Sequence, residues 1–136
     1  MQTDTPAQSL FLGLMGGPFT GDWTTNFFQI AEAALKRGTD VTVWTCGNAT
    51  SMTQTTNIRP DDPIHADCPG CGNHTLAEMA TALLDAHPDH LRWYVCRYCM
   101  EERGATAQIP QAQIQLPFSF NTYLNQADRS LVLGIK

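Results

Sequence analysis

Between Ser9 and Thr45 the chain passes from an apolar run, through a glycine break, into a helix-periodic segment and out into a β-branched run, an order that few folds accommodate. Ser9–Met15 carries Leu-Phe-Leu-Gly-Leu-Met, the pattern of a strand buried on both faces. Gly16-Gly17-Pro18 interrupts it. From Asp22 to Arg37 the apolar positions Trp23, Phe27, Ile30, Ala31, Ala34 and Leu35 recur at helical spacing, with Asp22 placed to cap the start and Gly38 to end it. Val41-Thr42-Val43-Trp44-Thr45 reads as a second strand. Strand, helix and strand in this order form a right-handed parallel crossover.

The alternation continues. Thr75 and Glu78 form a capping box ahead of a helix with Leu76, Met79, Ala80, Leu83 and Leu84 on one face, closed by Pro88. Leu91–Val95 reads as a third strand, Arg97–Arg103 as a short helix ended by Gly104, and Ile109–Pro117 as irregular. Ser119–Ala127 reads as a helix with Phe120, Tyr123 and Leu124 inward, and Leu131–Ile135 as a last strand. The expected fold is α/β, a three-layer sandwich around a small, mostly parallel sheet. The chain has 136 residues, 43% of them apolar, enough for one core. Residues 1–8 are therefore expected to be a loose arm, and 9–136 a single domain. The segment 47–74 is expected to be a long loop, rich in Thr, Asp, Pro and Gly, and a loop of that length in a small domain usually serves a site.

Five cysteines mark where that site lies. In a parallel sheet the carboxyl ends of the strands and the amino ends of the following helices share one rim, where ligands bind. Cys46 ends the second strand, Cys68 and Cys71 precede the second helix, Cys96 follows the third strand and Cys99 lies in the first turn of the third helix. Cys68-Pro-Gly-Cys71 and Cys96-Arg-Tyr-Cys99 are two C-x-x-C pairs separated by residues 72 to 95, slightly longer than the common zinc spacing. Two such turns supply four thiolates at about 2.3 Å from one tetrahedral zinc ion. Cys68, Cys71, Cys96 and Cys99 are thus the expected metal ligands. Cys46, outside either pair, is expected to be a small buried hydrophobe. His74 could replace one thiolate, although a histidine beside a helix cap is usually solvated. His65, His87 and His90 have no evident partner, Trp23, Trp44 and Trp93 fall on core faces, and Asp61-Asp62 and Glu101-Glu102 read as solvated surface.

Other chemistries are disfavoured. Eight Lys and Arg against thirteen Asp and Glu give a net charge of -5 without a basic cluster, so no nucleic-acid partner is expected. The first basic residue is Lys36, and Leu10–Phe19 is too short and glycine-broken to span a bilayer, which points to a cytoplasmic protein that binds no membrane. Neither phosphate-loop motif occurs, nor a G-x-S-x-G elbow.

Several stretches together resemble the DsrE/DsrF/TusD-like sulfur-relay family. They are Met15-Gly16-Gly17-Pro18-Phe19 after the first strand, Asn26–Ala31 in the first helix, Lys36–Val41 leading into the second strand, Val95-Cys96 through Glu102-Arg103-Gly104, and the closing Ala127–Leu133. The resemblance implies a flavodoxin-like topology and a sulfurtransferase in which Cys96 carries sulfur as a persulfide between a protein donor and a protein acceptor. It also implies a homo-oligomer, a trimer or hexamer. Charged residues at 15%, against about 25% in an average protein, agree with a partly covered surface. A helix amino end and Arg97 would lower the Cys96 thiol pKa and favour the thiolate. Cys99 and the Cys68–Cys71 turn depart from the family motif. Their presence leaves a second expectation: a non-catalytic module of the same fold in which all four paired cysteines are structural zinc ligands.

Overall fold

Five strands and four helices alternate along the computed structural model, which describes residues 8–56 and 75–135. They are β1 (Ser9–Leu14), α1 (Trp23–Lys36), β2 (Asp40–Thr45), α2 (Leu76–Ala86), β3 (Leu91–Cys96), α3 (Arg97–Glu102), β4 (Gln113–Gln115), α4 (Ser119–Gln126) and β5 (Arg129–Leu133). A 3-10 helix, Gly47–Thr53, follows β2. All strand pairs are parallel, in the order β4-β3-β2-β1-β5. From β1 the chain steps one way across the sheet to β4, then returns past all of them to β5. Right-handed crossovers taken in opposite directions must lie on opposite faces. That is why α4 stands alone on one face while α1, α2 and α3 share the other. The winding reverses between β1 and β5, whereas the flavodoxin strand order 2-1-3-4-5 reverses between β1 and β3.

Strand alternation assigns the side chains to these faces. Leu12, Leu14, Val41, Val43, Leu91, Trp93 and Val95 pack with Phe27, Ala31 and Leu35 of α1, Ala77, Ala80 and Leu84 of α2 and Met100 of α3. Phe11, Trp44, Tyr94 and Cys96 point the other way, toward Phe120, Tyr123 and Leu124 of α4. Trp44, Trp93, Phe11 and Phe27 are fully buried, each contributing about 1.5–3 kcal/mol of transfer free energy or more. Among the described residues no helix is long and apolar enough to cross a membrane.

Several elements depart from the sequence expectations for local reasons. Ile109–Pro117 is not wholly irregular. Gln113–Gln115 pairs with Tyr94–Cys96 as an edge strand whose polar, short sequence carries no burial signal. β5 begins at Arg129 because Arg129 and Ser130, though exposed, pair with Leu10 and Phe11. Gln8, expected at the end of a loose arm, accepts from the Asp40 N–H at 2.9 Å and donates to Asp128 Oδ2 at 3.1 Å. The first part of the expected 47–74 loop is ordered. Thr50 and Ser51 hydroxyls donate back to the Gly47 and Asn48 carbonyls, and Ala49 and Met52 enter the core. Asp22 occupies the N-cap position of α1 without a side-chain capping bond, while the Thr75 hydroxyl accepts from the Glu78 N–H at 3.1 Å as the capping box requires.

Candidate functional site

Two neighbouring strands and one helical turn bring three sulfurs together. In the β2–β3 pair Trp44 lies opposite Tyr94 and Thr45 opposite Val95, so Cys46 follows beside Cys96. Two residues beyond Trp44 and Tyr94, respectively, both cysteines face α4. Cys96 keeps extended backbone angles, φ -67° and ψ 118°, as the N-cap of α3. Cys99, three residues on, comes back over it within the first turn. The Cys46, Cys96 and Cys99 sulfurs all lie within 4.8 Å of one another, with Cys46 and Cys99 4.0 Å apart and none of the three in a disulfide.

The surroundings hold this arrangement in place. The Trp44 indole N–H donates to Cys46 Sγ at 3.3 Å. Tyr94 and Tyr123 stack at 4.3 Å between centroids and 11° between planes, and Phe120 meets Trp44 edge-on at 5.9 Å. At the rim Arg103 donates from Nε to Asn48 Oδ1 at 2.7 Å and from Nη1 to the Cys99 carbonyl at 3.3 Å, tying α3 to the turn after Cys46. Gly47 makes that turn with φ +57°, a conformation that side chains with a Cβ rarely adopt.

Burial governs the thiols. It pushes Cys46 up from an ordinary 9.0 to about 12, against the opposing Trp44 hydrogen bond and reinforced by the Cys96 and Cys99 sulfurs. Burial also raises Cys96, which is 1% exposed; the Cys99 main-chain amide opposes this and the Cys99 thiol adds to it. The expectation that Arg97 and the helix end lower the Cys96 pKa is therefore corrected. Arg97 Nε is committed to Glu101 at 2.9 Å on the exposed side of α3, and a six-residue helix has little dipole to set against desolvation.

Cys46 is no isolated buried hydrophobe but the third member of the cluster. A C-x-x-C search passes over it. The parity of β2, with Trp44 and Cys46 on one face, is the signal that could have found it. Cys68, Cys71, His65 and His74 lie outside the described residues. His90 pairs with Asp40 at 2.7 Å near the opposite rim, and His87 follows the end of α2, so neither reaches the sulfurs.

The three cysteines are positioned to hold a metal ion. Tetrahedral zinc with bonds of about 2.3 Å sets its sulfurs about 3.8 Å apart, close to the Cys46–Cys99 separation and within 1 Å of the cluster's outer limit. The same set also suits sulfur exchange, because neighbouring thiols attack sulfane sulfur without any metal.

The family model described as DsrE/DsrF-like matches residues 8–133. The crystal structure of the ychN protein from E. coli is similar in fold, with a TM-score of 0.69 at 17% identity, over 93% of this chain and 99% of that one. No curated protein matches the sequence.

Proposed function

The chain belongs to the DsrE/DsrF-like family, and on that premise we propose that it is a sulfurtransferase that carries sulfane sulfur between proteins as a persulfide on Cys96. The observation that carries this reading is the position of Cys96, which joins β3 to α3 with two further sulfurs within 4.8 Å. The Cys96 sulfur attacks the outer sulfur of a donor persulfide. A new S–S bond forms on Cys96, the donor's S–S bond breaks and the donor leaves as a thiolate, so no net oxidation occurs. An acceptor thiol reverses the step. Burial raises the Cys96 pKa, so its proton passes to the departing donor thiolate as the S–S bond forms, and the same burial shields the persulfide from water. The partners are a protein donor and a protein acceptor, in the cytoplasm. Self-association as a trimer or hexamer is supported by exposed Ile114 on edge strand β4 and exposed Phe118 shortly after it, and by exposed Ile135 following β5 at the other edge of the sheet.

A second reading draws on the same cluster. Zinc held by Cys46, Cys96 and Cys99 would make the site structural and the protein a non-catalytic module. Mixing reduced, chelator-treated protein with a small persulfide separates the two. The relay expects one equivalent of donor thiol released per chain, with most of it lost in Cys96→Ser. Equal release from Cys96→Ser overturns Cys96 as carrier. About one tightly held zinc per chain as isolated, with no sulfur uptake until it is stripped, favours the structural module.

A further inference from the structure

A carrier sulfur on Cys96 has an access problem. Cys96 is 1% exposed and clusters with Phe11, Trp44, Tyr94 and the aromatic side chains of α4, so a cysteine held on a folded partner, donor or acceptor, reaches it far less readily than a small persulfide does. Cys99 is half-buried, on the same helical turn and within 4.8 Å. Resting on the relay reading above, we propose that Cys99 is the exchange port of the site: it passes the outer sulfur between Cys96 and partner proteins, and on discharge presents it to the acceptor protein.

Distance favours this step. A persulfide places its outer sulfur about 2.05 Å beyond the Cys96 Sγ, so an outer sulfur directed at Cys99 spans nearly half of a gap no wider than 4.8 Å. Attack by Cys99 on that outer sulfur forms the Cys99 Sγ–S bond and breaks the Cys96 Sγ–S bond. The Cys99 proton passes to the departing Cys96 thiolate, and sulfane sulfur has moved without gain or loss of electrons. Attack on the inner sulfur would instead have to bring the two Sγ atoms into bonding distance and expel sulfide. Cys46 is less suited to the port. Its sulfur is fixed by the Trp44 N–H at 3.3 Å, and it sits at the end of a strand. Cys99 has its main chain anchored by Arg103 Nη1 while its side chain stays partly open. The Arg103 guanidinium thereby positions the port against the turn that follows Cys46.

The test uses the full-length protein, reduced and freed of metal, loaded with inorganic polysulfide and then offered a folded protein with one surface thiol. The wild type discharges to it. Cys99→Ser and Cys99→Ala should still load on Cys96, as read by peptide mass after rapid alkylation, but should discharge to the protein thiol about tenfold or more slowly, with thermal unfolding unchanged. Discharge at the wild-type rate from both variants overturns the port. A Cys96–Cys99 disulfide with one equivalent of sulfide per wild-type chain also overturns it, by showing attack on the inner sulfur. Failure of Cys96 to load in wild type and variants alike refutes the relay reading itself, and the port with it.

Discussion

Replacing Phe120 with alanine tests whether α4 is the cover over Cys96. The helix has eight residues and none of them is fully buried, so it is held to the sheet chiefly by Phe120, Tyr123 and Leu124. Phe120 meets Phe11 at 5.3 Å and 82°, and Trp44 at 5.9 Å and 73°. Fully buried Phe→Ala changes cost about 3–5 kcal/mol. With the ring half-buried, and with aromatic pairs contributing about 0.5–1.5 kcal/mol each, about 2–3 kcal/mol is expected here. Because that loss falls on the docking of α4, local opening should become easier by the same amount, about 30- to 150-fold. Urea unfolding measures the first quantity, and the rate of iodoacetamide labelling at Cys96, read by peptide mass, measures the second. A stability loss below about 1 kcal/mol would show that α4 does not depend on this ring. A full loss with unchanged Cys96 labelling would falsify the claim that α4 is the cover over Cys96.

Other perturbations probe separate links. Gly134→Ala places a Cβ 1.9 Å from the Met15 carbonyl oxygen at φ +84°, and should destabilise by at least about 2 kcal/mol in urea unfolding; a neutral effect would mean that this crossing of backbones is not formed. Thr75→Ala removes the acceptor for the Glu78 N–H and should cost about 1 kcal/mol, with hydrogen exchange accelerated in the first turn of α2. Folded Cys46 keeps a proton that the unfolded chain sheds near 9.0, so the native state binds more protons between 9.0 and about 12 and stability falls as pH rises through that window. The urea midpoint should drop above pH 9.0 in the wild type and drop less in Cys46→Ala; identical alkaline profiles would contradict the burial argument.

The crossover from β1 to β2, the capped α2 and the inward face of α4 were legible in residue order because each bears its own local signal: an apolar run, a 3.6-residue period, a cap. β4 was not legible. Gln113–Gln115 is a strand only because Tyr94–Cys96 offers it an open edge, and three polar-flanked residues do not announce such a partner. The early start of β5 and the order of Gly47–Thr53 have the same origin, in pairing and packing supplied by distant segments.

For the site, the residue order alone located Cys96 and Cys99 at the junction of a strand and a helix, since C-x-x-C spacing is a local property. Only tertiary structure added Cys46, because strand register decides which residue of β2 stands beside Cys96. It also reversed the expected reactivity. A pKa depends on what surrounds the sulfur, and here three aromatic residues of the sheet and α4 take water away from a thiol that sequence neighbours alone would have called activated.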